Sequence, residues 1–90
     1  MKNIVHESGD YLNLSASGQV KSGPGVLIGI FCASSSSATC KVWAQTTAAV
    51  PVLVNTFTLV AGTFYQIPAR FSAGLYVTIT GTADITVFYS

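Results

Sequence analysis

Charge is what this sequence has least of. Four basic and three acidic side chains are spread over 90 residues, 8% of the chain, where a soluble domain carries about 25%. Most of them come early, at Lys2, Glu7, Asp10, Lys21 and Lys41; beyond Lys41 only Arg70 and Asp84 remain. The net charge of +1 leaves no basic stripe able to neutralise a series of phosphates, so nucleic acid is not an expected partner. A small domain has a large surface for its volume, and charge normally keeps that surface dispersed. The scarcity therefore predicts a chain whose surface is largely covered by other protein.

Long hydrophobic runs are also missing. Half of the residues are apolar, yet the longest stretches, Val26–Ala33 and Ala48–Val54, are broken by Gly29 and Pro51. Both fall short of the roughly 18–20 residues that cross a bilayer. Met1–Glu7 lacks the continuous apolar segment of a secretory signal. A chain made and kept in the cytosol, without a membrane partner, is the expectation.

Catalytic groups are equally sparse. There is one histidine, and His6, Glu7 and Asp10 lie close together near the start. His6 and Asp10 are one helical turn apart, but no helix signal surrounds them and a third ligand type is lacking, so no metal is assigned. Ser34–Ser37 has no Gly-x-Ser-x-Gly elbow. Gly23-Pro24-Gly25 lacks the Gly-Lys-Ser/Thr ending of a phosphate loop. Neither Cys32 nor Cys40 has a base near it in sequence. The chain is not expected to be an enzyme or to carry a cofactor. In a reducing setting the two cysteines are expected as free thiols acting as small buried apolar groups. A bridge across a hairpin, since they flank the serine run almost symmetrically, is the second reading.

Helix formers are scarce as well: Glu and Lys are few, while Thr, Val and aromatic residues dominate. What is present is alternation. Residues 1–10 show little periodicity and read as an N-terminal arm, and residues 11–90 read as one β-sandwich domain. Tyr11–Leu14 is a short strand, and Gln19-Val20-Lys21 is a candidate edge pairing. Val26, Ile28, Ile30 and Cys32 share one face of the next strand, with Leu27, Gly29 and Phe31 on the other. Ser34–Ser37 reads as a loop, after which Cys40, Val42 and Ala44 oppose Lys41, Trp43 and Gln45. Pro51–Leu59 is extended with a bend near Asn55, and Pro68 gives Thr63–Phe71 an edge or bulge position. Gly74–Thr80 and Ile85–Ser90 alternate on either side of a turn at Gly81–Asp84. About seven or eight strands at spacings of roughly 8–12 residues predict an all-β, antiparallel sandwich.

The aromatic residues, 11% of the chain, are expected mainly in core and subunit interfaces. A sugar-stacking platform built on Trp43, Tyr65 and Tyr76 is the weaker alternative, because the accompanying carboxylates are missing. Between Val42 and Ala69 no side chain is charged, and Pro51 and Pro68 are the only guards against strand-edge association.

Two segments then carry a resemblance. Gly62-Thr63-Phe64-Tyr65-Gln66-Ile67-Pro68-Ala69-Arg70-Phe71-Ser72-Ala73-Gly74-Leu75-Tyr76-Val77, followed by Thr80-Gly81-Thr82-Ala83-Asp84-Ile85-Thr86-Val87, is similar to a family of small tailed-bacteriophage virion structural proteins. The similarity reaches back to Val20–Gly29, so it covers residues 18–90 and leaves out residues 1–17. It implies a head decoration, or cement, protein of jelly-roll-like fold. Such a protein sits as a homotrimer on the outer capsid, bridges capsomers of the major capsid protein, and is assembled in the host cytoplasm. A tail, neck or fibre module is the alternative within the virion, and a carbohydrate-binding module the alternative outside it. The family has no catalytic residues to carry over. The apolar faces around Phe31, Trp43 and Tyr76 are candidate trimer contacts. The arm, with Lys2, His6 and Asp10, is the candidate capsid contact.

Overall fold

The computed structural model describes residues 9–90; Lys2 and His6 lie outside the described residues. The chain is all-β, with no helix among the described residues. Its strands are β1 (Asp10–Leu14), β2 (Gly18–Ser22), β3 (Gly25–Trp43), β4 (Val52–Thr58), β5 (Thr63–Phe71) and β6 (Gly74–Tyr89), all joined in one antiparallel sheet. Asp10, expected in the arm, instead opens β1 opposite Tyr89.

Among the described residues there are six strands, below the seven or eight read from the sequence, because two expected turns are built into strands. Ser34–Ser37 does not close a hairpin, and neither does Gly81–Asp84. Each supplies ladder partners for the other: Ser34 faces Asp84, Ser35 faces Ala83 and Ser36 faces Thr82. β3 and β6 thus form one long ribbon that pairs from Leu27 opposite Tyr89 to Trp43 opposite Tyr76. A run of small polar residues can enter a ladder as readily as a loop, and here the backbone groups of each segment satisfy the other's.

The ribbon is irregular where the turns were expected. Register slips fall between Cys32 and Ser34 and between Ser36 and Thr39. Both add residues to β3, so the inward parity lost at the first is regained at the second, and Cys32, Ala38, Cys40 and Val42 are all buried. Ser37 takes a left-handed φ of 53° and Gly81, across from it, one of 94°. A third slip, between Leu27 and Gly29, corrects the face expected for the first strong strand. The extra residue there, Ile28, reverses the alternation. Leu27 is therefore buried with Ile30 and Cys32, while Val26 is exposed and Ile28 only half-buried. On β6, by contrast, Leu75, Val77, Ile85 and Val87 keep one inward parity, as the alternation predicts.

Each end of the ribbon is widened by its own flanking strands. At the first end β1 pairs with β6 and β5 with β3, in the order β1-β6-β3-β5. At the second end β2 pairs with β6 and β4 with β3, in the order β2-β6-β3-β4. β5 is an edge strand whose Pro68 falls in an irregular stretch of its pairing, and β4 slips register around Asn55; both positions were legible from the sequence. Buried side chains from both ends of the ribbon belong to one core, closed by Val20, Leu59 and Phe71.

Ile85→Ala is expected to lower the unfolding free energy by about 2–5 kcal/mol, against less than about 1 kcal/mol for exposed Val26→Ala, measured by urea unfolding. At the bend, Ser37→Gly should hold or raise stability, whereas Ser37→Val should cost about 1–3 kcal/mol because a β-branched residue disfavours positive φ.

Candidate interaction surfaces

The described residues enclose no pocket and bring together no group of three His, Cys, Asp or Glu side chains. What the fold offers is surface, and its two outward faces differ.

On the first end, cross-strand register gathers aromatic residues on the side away from the core. Tyr11 on β1 faces Phe88 on β6, and Phe31 on β3 faces Phe64 on β5. Tyr11 is 71% exposed and Phe64 47%, so this group is open to contact. Gly29 accounts for its centre. The Phe64 ring lies across the glycine, and a Cβ there would meet Phe64 Cζ at 2.5 Å and the Tyr65 carbonyl at 2.7 Å. With the ring in that position, Phe64 and Phe88 meet edge to face, with centroids 6.1 Å apart. At the bend the face ends in a polar cluster. Asn13 donates through Nδ2 to Asp84 Oδ1 at 2.7 Å and to the Ile85 carbonyl at 2.9 Å. At the opposite corner stands exposed Arg70, paired with Val26.

On the second end, Trp43 and Tyr76 are direct cross-strand neighbours. Here the aromatic surface is occupied by the chain itself. Trp43 Nε1 donates to Thr78 Oγ1 at 2.9 Å, and the Lys41 ammonium lies 4.3 Å over the indole ring, a cation–π contact. Phe31 is not with them; it belongs to the first face. Tyr65 is apart from both: its ring packs on Phe57 at 5.1 Å, its hydroxyl accepts from Val60 N at 2.9 Å and donates to the Thr58 carbonyl at 3.2 Å. The Trp43–Tyr65–Tyr76 platform weighed from the sequence is therefore not assembled.

Sequence reasoning singled out Phe31 but passed over Tyr11, Phe64 and Phe88. The signal was present in the alternation of β5, where Phe64, Gln66 and Arg70 are exposed while Tyr65, Ile67 and Ala69 are half-buried. A glycine inside an apolar strand, Gly29, also marks a close approach by a neighbouring group.

The cysteines are free and buried. They do not face each other across a hairpin, because both are on β3: Cys32 opposes Thr63 and Ile85, and Cys40 opposes Phe57 and Ile79. Burial first, and Cys32 second, push the Cys40 thiol from 9.0 up to about 12. Burial and then the Asp84 carboxylate raise Cys32 as well. Thiols held in the protonated form are poor nucleophiles, so they act here as packing groups.

No family model, curated protein or solved structure matches the chain.

Two outcomes follow for these groups. Gly29→Ala should displace the Phe64 ring and cost about 1–3 kcal/mol, read as a lower urea midpoint together with loss of the Phe64–Phe88 contact in NMR spectra. Because the folded state raises the Cys40 pKa, its contribution is complete below the unfolded value. It declines as pH rises from 9.0 to about 12, where the unfolded chain loses a proton that the folded chain keeps. The urea midpoint should fall over that interval, and fall less steeply in Cys40→Ala.

Proposed function

We propose that this chain is a bacteriophage capsid decoration protein, a cement that binds the assembled head and stabilises it. The observation that carries the reading is the open aromatic face of the first end. It is a broad, nearly uncharged contact surface on a small β-fold whose described residues enclose no pocket.

The strand order supports the architecture that goes with it. β1-β6-β3-β5 and β2-β6-β3-β4 are read as the two layers of a jelly-roll-like sandwich, with β3 and β6 bending at Ser34–Ser37 and Gly81–Asp84 to serve in both. The Phe57–Tyr65 contact joins β4 of one layer to β5 of the other. Backbone bonds from Leu59 N to the Ala38 carbonyl (3.0 Å) and from Gly62 N to the Cys32 carbonyl (2.7 Å) anchor the connection between them. In this reading the protein acts as a homotrimer on the outer capsid, bridging copies of the major capsid protein.

The mechanism is mass action. A protein that binds the assembled lattice and not its dissociated subunits stabilises the lattice by RT ln(1 + [L]/Kd), about 2.7 kcal/mol per site when its concentration is 100-fold above Kd. No bond is made or broken. The chain needs only a rigid fold and contact surfaces, and the buried ladder supplies the rigidity.

The test is addition of the purified protein to heads that lack it, followed by sedimentation and cryo-electron microscopy. Regular density on the capsid lattice and a raised temperature of DNA release are expected. Density confined to the tail or neck would move the protein elsewhere in the virion, and no binding to any virion part would dispose of the reading. Removing residues 1–8 should reduce occupancy on the heads; unchanged occupancy would rule out the arm as the capsid contact.

A further inference from the structure

We propose that the outward aromatic face of the first end is where a second copy of this chain docks, with Arg70 of each copy reaching Asp84 of its neighbour. This deepens the function proposed above by naming the surface through which the subunits join.

The choice between the two outward faces rests on what already covers them. Trp43 is engaged by Thr78 and roofed by the Lys41 ammonium, so that face is closed by its own charge and hydrogen bond. On the first face no described charge or hydrogen bond closes the rings: Tyr11 is 71% and Phe64 47% exposed, with Phe31 and Phe88 half-buried beside them. Exposed aromatic side chains that are rigid and clustered are the anchors protein interfaces favour.

The choice of occupant rests on charge. Arg70 and Asp84 are the only charged residues beyond Lys41, and they stand at opposite corners of this face with the aromatic group between them. Along β3, Arg70 pairs at Val26 and Asp84 at Ser34, eight residues apart and so roughly 26 Å at ~3.3 Å per residue. That exceeds a Debye length of about 8 Å, so the two do not pair within one chain. Asp10, next to Tyr11 on β1, is also exposed, but strand alternation turns it to the opposite side from Tyr11 and Asn13. A surface with an uncharged apolar centre, Arg70 at one corner and Asp84 at the other is complementary to a rotated copy of itself. Placing two such faces together brings the arginine of each to the aspartate of the other, and no like charges meet. Face to face, the contact is isologous and joins two copies; in a trimer the faces meet edge to edge around the axis, with Arg70 of one copy at Asp84 of the next, and the mass from light scattering separates the two.

The test uses the full chain in sedimentation velocity and multi-angle light scattering, with urea midpoints to show that each variant is folded. The wild type should be a discrete oligomer at about 100 μM. Tyr11→Asp, which changes the most exposed ring, should shift it toward monomer. Arg70→Glu alone and Asp84→Lys alone should each raise the dissociation constant about tenfold or more. The double reversal should restore association to near the wild-type level, which only pairing between copies explains at this separation. Asp84 accepts a bond from Asn13; if Asp84→Lys does not fold, Asp84→Asn keeps an acceptor there and should weaken association as well. In that case Arg70→Glu should lose less in the Asp84→Asn background than in the wild type.

A monomeric wild type, association indifferent to Tyr11→Asp, or a double reversal no better than the singles would each overturn the inference. Capsid binding separates this from the broader reading. A monomer that still decorates heads removes the docking face and leaves the function standing. An oligomer with these variant effects that binds no virion part does the opposite.

Discussion

Everything in this molecule hangs on the pairing of β3 with β6. No other strand pair is as long, and each flanking strand joins the sheet through one of these two. An unpaired buried backbone group is costly, so a ladder running through Ser34–Ser36 and Thr82–Asp84 fixes what lies on either side of it. The core follows from the same pairing. Leu27, Ile30, Cys32, Cys40 and Val42 come from one strand, and Leu75, Val77, Ile85 and Val87 from the other, all buried. In the middle of the ribbon the slip after Cys32 is offset by the one before Thr39, and the second falls at Ser37, which takes a left-handed backbone.

The outward faces are by-products of that inward order, and they differ because of single residues. Lys41 is two positions from Trp43 on the same side of β3, so its ammonium can fold back over the indole. The first end has no lysine in the equivalent place; Gly29 stands there, and the space it leaves is filled by a ring from the neighbouring strand. A cation closes one aromatic surface and the lack of a side chain opens the other. Phe31 and Phe88 stand on the strands that hold the core, and Tyr11 and Phe64 on strands paired directly to them, so the rings sit on a rigid support. That suits a contact surface better than rings on loops would.

The all-β class, the inward alternation of β6, an irregularity near Asn55 (a register slip within one strand rather than a bend between two) and the edge position of Pro68 were legible because each depends on local periodicity or on one residue's backbone limits. The two long strands were not. Ser34–Ser37 and Gly81–Asp84 both have the composition of turns, and a segment's composition does not say whether a matching segment elsewhere will pair with it. That is a property of topology. The face of Val26–Cys32 was misread for a related reason: the slip at Ile28 is needed only because neighbouring strands impose it. Among candidate contact residues, Phe31, Trp43 and Tyr76 stood out as large rings next to apolar runs. Tyr11, Phe64 and Phe88 become a group only when three separate strands are placed in register.

One consequence of the strand order concerns time rather than space. β6 is the last of the described strands, and it is the sole partner of β1 and β2 and the longest partner of β3. A ribosome delivering this chain from its first residue releases β1, β2 and β3 before the strand that will hold them exists. Until then β1 and β2 have no native partner, and β3 can pair only with β4 and β5. The low charge also leaves the nascent chain little to keep it apart from its neighbours. Completion of the sheet therefore waits for β6, and the vulnerable period is set by the rate of translation.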